Sequence, residues 1–151
     1  MKPWMPLLIL AVTAGCDSAS PPAPTGVNAQ GEPDRIRVLH VLIAFRGADR
    51  AEDSVTRSQD EAEVLAKEVL ARARRGEDFQ RLIKAYTSDH GDGNYRVVNH
   101  GVIPRSGDSR RAGLVPGFCD VAFALKVGEV GLVPHDRTRS PYGYHVIKRI
   151  E

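Results

Sequence analysis

Five histidines and two cysteines have the widest chemical repertoire in this 151-residue chain. An imidazole can exchange a proton near neutral pH or bind a metal, and a thiolate can attack or ligate. His40 interrupts the apolar run from Arg35 to Phe45, and His145 lies in the closing run from Tyr142 to Ile150, on the same side as Ile147. An imidazole inside such a strand is ordinarily a hydrogen-bonded core residue. His90, His100 and His135 are spaced 10 and 35 residues apart, which fits no compact zinc pattern. The segment Asp89-His90-Gly91-Asp92-Gly93-Asn94 has the residue types of a calcium loop, but its spacing is wrong and its twelfth position is His100 instead of Glu. No metal site is therefore expected. Cys119 lies among Phe118, Val121 and Phe123 with no adjoining basic residue to lower its pKa, and reads as a small core thiol.

Cys16 has a different setting. Lys2, the apolar run Leu7 to Val12 and the small residues Thr13-Ala14-Gly15 have the layout of a secretory signal. The run is too short for a permanent membrane helix, which needs about 20 residues. A Cys directly after Ala-Gly resembles a bacterial lipobox, in which the Cys is acylated and becomes the mature N-terminus, although Thr13 stands where Leu is usual. On this reading residues 1–15 are a lipoprotein signal peptide, Cys16 is the lipidation site, and the Pro-, Ser- and Ala-rich residues 16–33 are a disordered tether. The expected location is the bacterial cell envelope, lipid-anchored to a membrane and facing the periplasm or the outside. Acylation of Cys16 leaves Cys119 without a disulfide partner.

The remainder, residues 34–151, is long enough for one domain with its own core. Hydrophobic residues make up 42% and charged residues 26% of the chain, which excludes collagen, coiled coils and multi-span membrane proteins. The 21 basic and 19 acidic residues give no electrostatic case for nucleic acid.

The elements that must position the histidines follow from local patterns. Arg35 to Phe45 is β-branched and apolar almost throughout, the signature of a strand buried on both faces. Arg46 to Arg57 is a charged loop. Ser58-Gln59-Asp60-Glu61 is a capping box, followed by Ala62, Leu65, Ala66, Val69, Leu70 and Ala73 at helical spacing. Asp78 caps a second helix with Phe79, Leu82, Ile83 and Tyr86 on one face. Tyr95 to Ile103 has strand character, and Pro104 to Arg111 is a polar loop. Pro116 opens a short third helix ended by Val127-Gly128. Glu129 to Pro134 and Tyr142 to Ile150 are the last strands. The order β-α-α-β-α-β-β predicts an α+β fold, with about three helices around a small antiparallel sheet of about four strands.

Four segments in register resemble the parvulin-type peptidyl-prolyl isomerases: Val38-Leu39-His40-Val41-Leu42-Ile43, Arg75 to Asp89, Leu114 to Val130, and Tyr142-Gly143-Tyr144-His145-Val146-Ile147-Lys148. The resemblance spans about residue 34 to 151. It implies a parvulin-like fold and isomerisation of X-Pro bonds in proline-containing unfolded or nascent secreted proteins, with no cofactor. It also implies that His40 and His145 are the family's paired histidines, hydrogen-bonded to each other and to Ser140. Asp89 takes the position held by Cys or Asp, and Leu114 and Phe118 form the wall that receives the proline ring. Asp89 would repel the rotating carbonyl if ionised and donate to it if protonated. The family's Gly-Gly-Asp-Leu-Gly stretch is replaced by Asn94 to Gly101, where either Val97 or Val98 could supply the apolar residue of its Leu. The loops 104–113 and 135–139 are longer than usual. These departures keep an alternative open: a non-catalytic parvulin-like chaperone or peptide-binding module that holds unfolded segments.

Overall fold

The computed structural model describes residues 26–28 and 30–151; the proposed signal peptide, Cys16 and most of the tether lie outside them. The central strand is β1 (Arg35–Ile43), followed by α1 (Gln59–Arg74), α2 (Phe79–Tyr86), β2 (Asn94–Val98), β3 (Asp108–Arg110), α3 (Pro116–Ala124), β4 (Val130–Val133) and β5 (Tyr144–Arg149). The five strands lie in the order β3-β2-β1-β5-β4. All neighbours are antiparallel except β2 and β3.

Because β1 is flanked on both edges and covered on both faces, its near-continuous apolar sequence is needed. Alternation along it separates two cores. Leu39, Val41 and Ile43 join Val146 and the apolar stripes of α1 and α2 on one face. Ile36 and Val38 join Val97, Ile147 and α3 on the other. The buried stripe of α1 is Ala62, Ala66, Val69 and Ala73, mostly small side chains that let the helix lie close to the sheet. Its capping box is complete: the Glu61 amide donates to Ser58 Oγ at 3.2 Å and the Ser58 amide donates to Glu61 Oε2 at 2.6 Å. Asp78 caps α2 by accepting from the Arg81 amide at 2.9 Å. None of the helices among the described residues is long and apolar enough to cross a membrane.

The structure departs from the sequence expectations in three places. The second strand ends at Val98, not Ile103, because the next residue turns inward. Buried Asn99 donates its amide to Asp34 O at 2.8 Å and its side chain to Pro33 O at 3.2 Å. Ile103 is left 83% exposed. The polar loop after it contains a fifth strand, β3, whose sequence Asp108-Ser109-Arg110 has no strand signature. Asp108 fastens it by pairing with Arg35 of β1 and accepting from the Arg105 amide at 2.8 Å. The third helix stops at Ala124, earlier than Val127, with Leu125 already extended.

The end of the segment read as tether is also engaged. Val27 pairs with Pro33, and Glu32 bonds Arg111 Nη1 at 2.7 Å and Asn99 Nδ2 at 3.2 Å. The Arg111 guanidinium, helped by Asn99, holds the Glu32 carboxyl down to about 2. Val27 and Glu32 thus contact their neighbours as residues of the folded domain do.

Candidate active site

The register of β1 against β5 places His40 opposite Ile147 and Leu42 opposite His145. The two imidazoles therefore stand diagonally on the face that carries α3, and Val38 opposite Tyr95 brings Tyr95 of β2 to the same face. Where this face of β1 runs out beyond α3, a cleft of about 380 Å³ opens over His40, Leu42 and Ala44. Leu114, Val115 and Phe118 wall one side, and Ser88 and Asp89 another. The loop after β1 forms the rim, where the Arg50 guanidinium lies 5.2 Å from the centre of the Tyr142 ring.

His40 Nε2 and His145 Nδ1 share a 2.8 Å hydrogen bond, with the rings stacked at 5.0 Å. Both are nearly fully buried, 4% and 3% exposed. Burial, which disfavours the imidazolium, pushes each from an ordinary 6.5 down to about 3, and mutual repulsion adds to this at His145. The pair is neutral at pH 7. His40 Nδ1 lies 3.8 Å from Asp89 Oδ2, so a carboxylate there favours the tautomer with its proton on Nδ1. His40 Nε2 then accepts, His145 Nδ1 donates, and His145 Nε2 is left as a bare acceptor. Neither His40 Nδ1 nor His145 Nε2 has a hydrogen-bond partner among the described residues.

Phe118 closes this cluster edge-on, 5.2 Å from His40 and 6.0 Å from His145 between ring centres. Gly93 permits the close approach beneath: its φ is +67°, and a Cβ there would sit 2.6 Å from His40 O. Its own carbonyl accepts the His40 amide at 2.7 Å.

His40, His145, Asp89, Leu114 and Phe118 thus meet at one cleft. Ser140 does not join them. It is buried at 1% exposure, and its hydroxyl donates to Gly143 O at 3.0 Å, not to either imidazole. A local turn competes successfully for its only proton. Ser140 also pairs with Asp136, whose side chain accepts from the Thr138 and Arg139 amides at 2.8 Å, so the inserted loop 135–139 is closed on itself. Its Arg139 carbonyl accepts the Gly117 amide at 2.8 Å, docking the loop on the start of α3.

Neither Val97 nor Val98 reaches the cleft. Val97 packs in the core under α3, and the strand residue that lines the cleft is Tyr95. Its hydroxyl donates to Asp89 Oδ2 at 2.6 Å, and its ring stands 5.8 Å from Phe118. Burial first, then the Asp89 carboxylate, pushes the phenol well above its ordinary range, so it stays a donor. Sequence reasoning missed Tyr95. The available signal was its alternation with Val97, which puts both on one side of the strand. His90 lies at the cleft rim with Nε2 3.1 Å from Glu52 Oε1, whereas His100 lines a separate small depression. Cys119 is buried, its thiol raised to about 11 by desolvation.

A small twisted sheet with α1 and α2 on one face and α3 on the other, and a neutral histidine pair flooring an apolar cleft, defines an α+β domain of the parvulin type. A family model described as the PPIC-type PPIase domain matches residues 26–151, and the chain belongs to that family, the parvulin-type peptidyl-prolyl isomerases. The chaperone SurA of Chromohalobacter salexigens is 33% identical over 123 residues, covering 79% of this chain and 24% of that protein. The foldase protein PrsA of Geobacillus kaustophilus is 40% identical over 86 residues, covering 57% of this chain and 27% of that protein. The chain spans about a quarter of the length of these curated relatives. Among solved structures, the peptidyl-prolyl isomerase ESS1 from Candida albicans superposes with a TM-score of 0.61 over 83% of this chain and 66% of that one. At 23% identity, that is a likeness of fold.

Proposed function

We propose that this domain catalyses cis–trans isomerisation of X-Pro bonds in unfolded or nascent secreted proteins of the bacterial cell envelope. In this reading it is held to a membrane by lipid on Cys16 and faces the periplasm or the outside. The observation that carries the reading is the convergence of His40, His145, Asp89, Leu114 and Phe118 on one cleft. Rotation about a peptide bond faces a barrier of roughly 18–20 kcal/mol, and no bond need break. An enzyme helps by favouring the twisted amide over the planar one.

Phe118 and Leu114 grip the proline ring, so that rotation is confined to the carbonyl side. Asp89, at the opposite wall, accepts a hydrogen bond from the Tyr95 hydroxyl and faces the carbonyl oxygen as it rotates. The neutral histidine pair gives the cleft a polar floor that neither takes up protons nor shifts. Ser140 acts at one remove, by holding the turn that leads into His145. Lowering the barrier by about 5 kcal/mol would accelerate rotation roughly 10³- to 10⁴-fold.

The test is NMR exchange on a panel of short X-Pro peptides with the purified protein. Exchange faster than the uncatalysed rate supports the isomerase. Peptide-dependent shifts without acceleration would instead support the non-catalytic module that holds unfolded segments, and would overturn the catalytic reading.

A further inference from the structure

Tyr95 touches two walls of the cleft, Phe118 on one side and Asp89 on the other. Its ring is edge-on to both Phe118 at 5.8 Å and His40 at 5.7 Å, so it completes an aromatic corner with the proline wall. Its hydroxyl donates to Asp89 Oδ2 at 2.6 Å. Asp89 follows α2 on a turn whose other ties are to β1: the Ser88 amide donates to Leu42 O at 2.7 Å, and Thr87 Oγ1 accepts from the Leu42 amide at 3.1 Å. These bonds fix the Asp89 backbone. Among the described residues, only the Tyr95 hydroxyl bonds its carboxylate. A side chain 27% exposed at a cleft wall, with two free torsions, would otherwise swing into solvent.

We propose that Tyr95 is a positioning residue for isomerisation: its hydroxyl holds the Asp89 carboxylate against the cleft, and its ring forms the corner that seats the proline. This inference rests on the isomerase reading above. It divides the residue's effect into two separable parts. The hydroxyl acts through Asp89 on the rotating carbonyl, which matters most as the amide twists and so appears in kcat. The ring contacts bound substrate in every state and so appears in KM.

The experiment measures kcat and KM on a single X-Pro peptide for the wild-type protein, Tyr95→Phe, Tyr95→Leu, Asp89→Asn and the double variant Tyr95→Phe/Asp89→Asn, with thermal unfolding of each. Tyr95→Phe keeps the ring and should lower kcat about tenfold with KM nearly unchanged, the effect expected for loss of a hydrogen bond to a charged group. In the Asp89→Asn background the same change should cost less than about twofold, because the group through which it acts is gone. Tyr95→Leu should raise KM in addition. Equal losses of kcat from Tyr95→Phe with and without Asp89 would overturn the positioning role, as would an unchanged kcat in Tyr95→Phe. If wild type gives no acceleration, the isomerase reading itself fails, and the positioning role with it. An active wild type with additive variants defeats the inference alone.

Discussion

The histidine pair makes stability depend on pH in a window where few other groups titrate. Each ring has an ordinary pKa of 6.5 when the chain is unfolded and about 3 in the folded domain, chiefly through desolvation. Below pH 6.5 the unfolded chain therefore binds more protons than the native one, and stability must fall as pH falls, by about 1.4 kcal/mol per pH unit for each ring. The loss begins near pH 6.5 and levels off only below about pH 3. At pH 5, one and a half pH units into the window, the cost is roughly 2 kcal/mol per ring and about 4 kcal/mol for the pair. The assay is urea unfolding at pH 7 and pH 5, where the midpoint should drop by about 2 M for an m-value near 2 kcal/mol per M. NMR should show two imidazole rings whose C–H signals do not move between pH 5 and pH 8. Flat stability across that range, or His40 and His145 signals that titrate near 6.5, would refute the neutral buried pair.

Four further outcomes follow from the geometry. Phe118 is only 3% exposed and packs in the core beneath α3, so Phe118→Ala should cost about 3 kcal/mol of stability as well as turnover. Phe118→Leu, which keeps most of the volume, should cost about 1 kcal/mol yet still lose most of kcat/KM, separating substrate contact from packing by unfolding and exchange measurements. Gly143 has a φ of +135°, and a Cβ there would sit 2.4 Å from Ile43 O, so Gly143→Ala should destabilise by more than about 2 kcal/mol in urea unfolding. Ser58→Ala removes one half of the α1 capping box and should cost about 1 kcal/mol in the same assay, with kcat unchanged.

Much of the scaffold was legible in the chain itself because its determinants are local. The apolar run of β1, the Ser58–Glu61 box, the Asp78 cap and Pro116 at the start of α3 each announce an element through residues within a turn or two of one another. The family pattern identified His40, His145, Asp89, Leu114 and Phe118 as candidates, and the fold brings them to one cleft. Other features depend on partners that local patterns do not reveal. β3 is polar and three residues long, and what holds it is an ion pair between Asp108 and Arg35, 73 residues apart in sequence. Asn99 ends β2 by bonding back to Pro33, and the same contacts draw Glu32 into the domain.

The choice among competing hydrogen bonds was likewise tertiary. Ser140 could have served an imidazole or its own turn, and the conformation of Gly143 brings that carbonyl within 3.0 Å. The amino-acid sequence by itself determined the order of the three α-helices and of every strand but β3, because periodicity and capping are written in near neighbours, and the family resemblance singled out five residues that line the cleft. The tertiary structure alone decided that the histidines are neutral, that Tyr95 holds Asp89 and that Ser140 stands apart. Desolvation and hydrogen-bond partnership depend on which distant groups the fold brings within a few ångströms, as with the histidines 105 residues apart that share one hydrogen bond.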